Sequence, residues 1–350
     1  MERTGDELDQ IGGPLADRAS DQSAARNDID RAAIEIAEIR QRSVIAVQTD
    51  LGAALGQKLT DGERGEDMPR RATGGQDDAL QIRHRCKCAS IDAMEKRTSF
   101  DVDPDRYQRA RPTYPAELFD AIFERLADAR VPTHVLEVGP GTGQATTELV
   151  ARAGQVTAVE PGTNFAARLR QTHPSVDVHH GDFETADLEL GSFDAIVCAT
   201  AYHWIEGEAR LGRPHELLRP GGWLAIIDLV QVGDPIDGGY FERVQPIYAS
   251  FGDNSHVWSP PVRGSVAPAI ATEAAASGRF DSVEVIEVDW NQTYTSDGYR
   301  DLLMTYSGTL VMEPTRQRDL VDQLVAVIDD EYDGVLVRPL VAALTLARAC

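Results

Sequence analysis

The pattern of apolar and polar positions changes character part-way along the chain. From residue 115 it becomes a regular alternation of two periodicities. Pro115 stands where a helix would open, and Leu118, Ile122, Phe123 and Leu126 follow at helical spacing. Short runs rich in β-branched residues then recur at 134–138, 156–159, 176–180, 194–199 and 223–229, with helical segments between them. Strands alternating with helices predict βαβ units, hence an α/β fold with a doubly wound, mostly parallel sheet covered on both faces. Residues 194–199 are almost continuously apolar, as in a central strand. Beyond residue 232 the rhythm breaks. Residues 283–290 alternate as a strand does and 332–347 open with β-formers, which predicts an antiparallel pair at one edge of the sheet.

Composition separates this region from what precedes it. All the Phe, Trp and Tyr residues lie from Phe100 onward, and residues 1–93 contain none. A stretch of that length without an aromatic side chain lacks the large apolar surfaces that anchor a core. Residues 1–30 and 56–93 are rich in Gly, Asp, Arg, Ser and Gln and are expected to be disordered, with one amphipathic helix fitting 29–55. The expected division is therefore an N-terminal extension, 1–93, and a folded domain, 94–350, whose segment 232–315 supplies a cover. Met94 opens the run Met-Glu-Lys-Arg-Thr-Ser-Phe that ends in the first aromatic, Phe100, so the functional chain is expected to begin there, with the extension read as a misassigned start or a regulatory tail.

Charge and cysteine content remove several function classes. The chain carries 57 acidic and 34 basic residues, a net charge of −23, and most of the excess lies in 94–350. That disfavours nucleic acid and anionic membranes as partners, because phosphates need Lys and Arg. No apolar run reaches the roughly 18 residues of a membrane helix, and no secretory leader pattern opens the chain. The four cysteines, Cys86, Cys88, Cys198 and Cys350, are too scattered for a disulfide framework, which suits a cytoplasmic setting. His84, Cys86 and Cys88 cluster, but the spacing is tight for a metal site and a fourth ligand is missing, so no metal is expected.

The candidate chemistry begins at residues 135–144, Val-Leu-Glu-Val-Gly-Pro-Gly-Thr-Gly-Gln. A predicted strand runs into Gly139, Gly141 and Gly143, and a helix follows. Such glycines let the backbone adopt positive φ and let a ligand approach closely. The next strand ends in Glu160, 21 residues after Gly139, where a carboxylate can accept both hydroxyls of an adenosine ribose. Dinucleotide sites favour G-x-G-x-x-G, whereas here the spacing is G-x-G-x-G with Glu137 just before it. A carboxylate there would repel a diphosphate and attract a ligand bearing an ammonium and a sulfonium, which favours S-adenosylmethionine over NAD.

With these motifs assembled, the chain from about residue 99 to 349 resembles the class I S-adenosylmethionine-dependent methyltransferases of the type 11 group, which includes trans-aconitate and quinone-pathway methyltransferases. The segments that carry the resemblance are 136–143 (Leu-Glu-Val-Gly-Pro-Gly-Thr-Gly), 158–161 (Ala-Val-Glu-Pro), 181–183 (Gly-Asp-Phe), 193–197 (Phe-Asp-Ala-Ile-Val) and 218–223 (Leu-Arg-Pro-Gly-Gly-Trp). The resemblance implies a Rossmann-like fold and S-adenosylmethionine as methyl donor. It implies Glu137 at the donor's amino group, Gly139, Gly141 and Gly143 beneath its methionine part, Glu160 at the ribose, and Asp182 with Phe183 at the adenine. Residues 105–114 look like the family's leading segment, and Tyr107 and Arg111 would close over the cofactor, Arg111 at its carboxylate. After the fourth strand, Tyr202, His203 and Trp204 fall where the methyl group should point. His203 is the candidate general base, and Tyr202 and Trp204 are candidates for contact with the acceptor.

The expected reaction is in-line methyl transfer to a small molecule. Tyr240, Phe241, Tyr248, Phe251, Trp258, Tyr294 and Tyr306 are available to line the acceptor pocket or to pack a core. Two alternatives remain open in the sequence: a non-catalytic S-adenosylmethionine binder, and a nicotinamide-dependent oxidoreductase, which lacks support from a Tyr-x-x-x-Lys pair. Neither the acceptor atom nor the oligomeric state follows from these residues.

Overall fold

A computed structural model describes residues 99–127, 132–252 and 260–350. The extension 1–93, its helix 29–55, Met94, the His84–Cys86–Cys88 cluster and Trp258 lie outside the described residues. Within them, a 3-10 turn at Ser99–Val102 leads into α1 (Pro104–Ala110) and α2 (Ala116–Arg125). The alternating core follows: β1 (His134–Val138), α3 (Thr146–Arg152), β2 (Gln155–Glu160), α4 (Thr163–Thr172), β3 (Asp177–His180), β4 (Phe193–Ala199), α5 (Gly212–Leu217) and β5 (Leu218–Gln231). Two short helices, α6 (Tyr240–Arg243) and α7 (Gln245–Ser250), precede α8 (Ala269–Ala276), β6 (Phe280–Thr295), α9 (Ser296–Leu303), α10 (Ser307–Leu310), α11 (Pro314–Glu331) and β7 (Val335–Ala349).

The strands form one sheet in the order β3-β2-β1-β4-β5-β7-β6. β1 to β5 are parallel, and β7 runs antiparallel to both β5 and β6. The α/β class, the parallel core and the antiparallel edge are as the pattern predicts. The two antiparallel strands are longer than their apolar signal, because β6 and β7 pair along 280–295 and 335–349 through positions of mixed polarity. Backbone pairing extends a strand without needing an apolar side chain at every second place.

Strand alternation decides which face each residue serves. Val135, Ala195, Val197, Ala225 and Ile227 pack against Leu118, Phe119 and Ile122 of α2 and Leu149 of α3. Leu136, Val138, Ile196, Cys198, Leu224 and Ile226 face the other way, toward Leu217, Ile270 and Phe183. A third cluster joins α6, α9 and α11 through Tyr240, Phe241, Tyr299, Leu302, Leu324 and Ile328. No helix among the described residues is long and apolar enough to cross a membrane.

The sheet order reverses between β1 and β4, and the C-terminal ends of those two strands diverge there, opening the crevice where ligands bind in such folds. At their N-terminal ends the same strands are held by Asp194, which is fully buried. Its Oδ2 accepts the His134 backbone N–H at 2.6 Å, and its other oxygen pairs with the Arg219 guanidinium ahead of the glycine turn into β5. Replacing Asp194 by Ala leaves a buried N–H and a cation unanswered. We expect a loss of about 3 kcal/mol in unfolding free energy by urea titration; an unchanged midpoint would contradict this role.

Candidate active site

The crevice holds a cavity of about 390 Å³. Its floor is the loop after β1. Gly139, Gly141 and Gly143 all have positive φ, at 66°, 59° and 99°. Two of them also have no room for a side chain: a Cβ at Gly139 would sit 2.8 Å from Ala201 Cβ, and one at Gly143 would meet His173 at 2.8 Å. The glycines therefore serve both the turn and the close approach of the β4 loop. Gly139 and Gly141 line the cavity, whereas Gly143 faces α4 and does not.

Two acids stand beneath this loop. Glu137, 1% exposed, is the penultimate residue of β1, lines the cavity and accepts the Thr146 hydroxyl at 2.6 Å. Burial pushes its carboxyl up to about 8; the Thr146 bond opposes that shift, and the neighbouring Glu160 charge adds to it. Glu160, 4% exposed, accepts the Gly141 N–H at 2.9 Å and the Gly162 N–H at 2.8 Å. One carboxylate thus ties the glycine loop to the start of α4. Glu160 also lines the cavity.

The leading segment closes one side. Asp101 accepts the N–H groups of Asn164 at 3.0 Å and Phe165 at 2.7 Å, capping α4 from a distant part of the chain. This holds Phe100 and Tyr107 against the cavity, with Tyr107 5.0 Å from the Phe165 ring and Phe100 5.9 Å from Trp204. Arg111 lies between the Tyr107 and Tyr306 rings, at 5.0 and 4.7 Å, and donates to the Thr305 hydroxyl at 2.9 Å and carbonyl at 2.8 Å. It lines the cavity while joining the leading segment to the α9–α10 cover.

The opposite wall comes from the β4 loop. Thr200 has φ 55°, a conformation that costs energy for a β-branched residue. Its N–H reaches the Ile227 carbonyl at 2.8 Å and its hydroxyl is 2.9 Å from Tyr114 Oη. The turn Tyr202–Trp204 follows. His203 and Trp204 line the cavity with ring centroids 4.8 Å apart. Burial, followed by the Arg210 and Arg111 cations, holds the His203 imidazole below the usual histidine range, so it is neutral at pH 7.

Nine of the expected residues meet in this cavity: Tyr107, Arg111, Glu137, Gly139, Gly141, Glu160, Phe183, His203 and Trp204. Tyr202 needs correction. Its side chain is 2% exposed in the lower core, its hydroxyl donates to the Arg210 carbonyl, and it does not line the cavity. The tight turn sends successive side chains to different sides, so Tyr202 goes inward where His203 and Trp204 go outward. Asp182 also lies off the cavity lining, on the turn after β3, while its neighbour Phe183 reaches in. Of the described aromatics proposed for a cover, only Tyr306 lines the cavity; Tyr240, Phe241 and Tyr294 build the third core instead.

Sequence reasoning missed Tyr114, Thr200, Asp228 and Arg338, all of which line the cavity. Asp228 had a readable signal, since it is an acid near the C-terminal end of a parallel strand. Burial raises its carboxyl above the usual range, against the opposing Arg210 charge. Arg338 had none, because its partner Gln231 is 107 positions away. Among the described residues, no group of three or more His, Cys, Asp or Glu side chains forms a metal site.

A family model described as a methyltransferase domain matches residues 136–226. An uncharacterized methyltransferase of Mycobacterium bovis is 30% identical over 233 residues, covering 65% of this chain and 86% of that protein. The malonyl-acyl-carrier-protein O-methyltransferase of Dechloromonas aromatica is 30% identical over 155 residues, 43% of this chain and 56% of its own. The trans-aconitate 2-methyltransferase of Deinococcus radiodurans is 31% identical over 127 residues, 35% and 48%.

The raised Glu137 carboxyl has a consequence for stability. Between its ordinary value of 4.5 and about 8, the folded protein keeps a proton that the unfolded chain has released. Its contribution to stability therefore falls as pH rises through that window. Glu137→Gln should be the more stable protein by roughly 3 kcal/mol at pH 7, with the gap closing toward pH 4.5. Urea titrations across that range check this; a pH-independent difference would contradict it.

Proposed function

The chain belongs to the methyltransferase family, and from that premise we propose that it moves a methyl group from S-adenosylmethionine to a small molecule held in the same cavity. The observation that carries this reading is Glu137. It is a buried acid facing the cavity, and among the described residues it has a hydroxyl partner and no cation. Burial keeps it protonated while the cavity is empty; a ligand bringing an ammonium and a sulfonium would favour its ionised form and be held by it, whereas a dinucleotide diphosphate would gain nothing from it.

The residues present fit that donor. Glu137 would face its ammonium, and Gly139, Gly141 and Gly143 would shape the backbone beneath its amino-acid part. Glu160 would accept the ribose hydroxyls, already fixed in place by two backbone N–H groups. Phe183 would lie beside the adenine, with Asp182 at its amino group, and Tyr107 and Arg111 would close over the donor, Arg111 at its carboxylate. Bound there, S-adenosylmethionine supplies an electrophilic methyl on sulfur. The protein's own work is then alignment and exclusion of water. Trp204 forms the wall where the acceptor would lie. His203, neutral and accessible in the cavity, would take a proton from an acceptor that ionises poorly. The net charge of −23 supports a small acceptor over a nucleic acid, and the scattered cysteines suit cytoplasmic work.

Equilibrium binding of tritiated S-adenosylmethionine tests the assignment. Glu160→Gln should weaken binding about 30-fold, the loss of strong hydrogen bonds to a charged acceptor. Unchanged affinity would remove Glu160 from the ribose.

A further inference from the structure

Resting on that reading, we propose that the methyl acceptor carries a carboxylate, and that Arg338 of β7 is the group that holds it. The chain has far more acid than base, and its arginines are generally answered by acids: Arg125, Arg152, Arg210, Arg263, Arg279 and Arg300 each pair with a carboxylate. Arg338 is different. It lines the cavity and makes no ion pair among the described residues. Its Nε donates to Gln231 Oε1 at 2.9 Å and a terminal nitrogen donates to Tyr306 Oη at 2.5 Å, both neutral acceptors.

The groups around it are also donors. Tyr306 accepts from Arg338 and so keeps its own hydroxyl proton to give. Tyr294, 6% exposed, lies beside the guanidinium as part of the third core and does not line the cavity. The buried amide nitrogen of Gln231 has no hydrogen-bond partner, but Gln231 does not line the cavity. A cavity-lining cation whose printed partners are neutral, with the Tyr306 hydroxyl beside it, is the complement of an oxyanion. The planar guanidinium matches a carboxylate in a two-bond fork. A dianionic phosphate suits the cavity less well than a monoanion, because acidic side chains line the same space and one guanidinium answers only one charge.

The donor cannot account for this site. S-adenosylmethionine has a single carboxylate, and Arg111, which also lines the cavity, is available to it. The two guanidiniums lie 4.7 and 5.9 Å from the Tyr306 ring. A second cation therefore calls for a second anion, which the acceptor must bring.

The test uses the full chain saturated with S-adenosylhomocysteine and titrated calorimetrically with benzoate, hexanoate and glutarate, each against its primary amide, and with phenyl phosphate. We expect the acids to bind at least tenfold more tightly than the amides and more tightly than the phosphate. Arg338→Met should abolish that preference while keeping S-adenosylhomocysteine affinity within twofold, which also shows that the variant folds. Arg338→Lys should retain part of the preference, because it keeps the charge and loses the fork. The proposal is overturned if no acid binds, if acids and amides bind alike, if phosphate binds best, or if Arg338→Met keeps the preference or loses the homocysteine. Failure of the unaltered protein to bind S-adenosylhomocysteine at all would instead overturn the methyltransferase reading.

Discussion

Two buried acids at the ends of neighbouring strands constrain everything above them. Glu137 pairs in register with Ala158 of β2, so Glu160 follows two residues further along the adjacent strand. Both are almost without solvent. Charges so placed cannot both be held comfortably in a poorly polarisable interior, and the protein answers with one neutral acid and one hydrogen-bonded carboxylate. The glycine loop is part of that answer, since Glu160 is satisfied by the backbone of Gly141 and Gly162. Bulkier residues at Gly139 would also drive the loop into Ala201. The strain at Thr200, on the facing strand end, belongs to the same close approach of the β1 and β4 loops.

The cavity above these acids is electrically uneven. Its floor carries Glu137 and Glu160, while Arg111 of the leading segment and Arg338 of β7 approach one tyrosine ring, Tyr306, in the cover. A ligand with separated charges is oriented by such a field before any specific contact forms. Orientation is what methyl transfer from an activated donor chiefly requires of a protein. His203 fits beside it as a neutral base, kept so by partial burial and by two nearby cations.

The parallel core and the glycine loop were legible because each is local. Strand β1 matches its predicted bounds of 134–138 residue for residue, and the acids at 137 and 160 are fixed by spacing along single strands. What escaped was set by direction and distance. Tyr202 and His203 are adjacent in sequence, yet one is core and the other lines the cavity, a difference decided by one 3-10 turn. The aromatics after residue 232 have no periodicity that separates packing from lining, and most of those described pack against α11. Arg338 reaches the site through strand pairing at the far end of the chain, and no local pattern marks it.

The central claim is that the acidic floor under the glycine loop selects an S-adenosyl ligand. Calorimetric titration of the full chain with S-adenosylhomocysteine and, separately, with NADH at pH 7 tests it most directly. One equivalent of S-adenosylhomocysteine should bind and NADH should give no binding heat; saturable NADH binding, or no binding of S-adenosylhomocysteine, would contradict it.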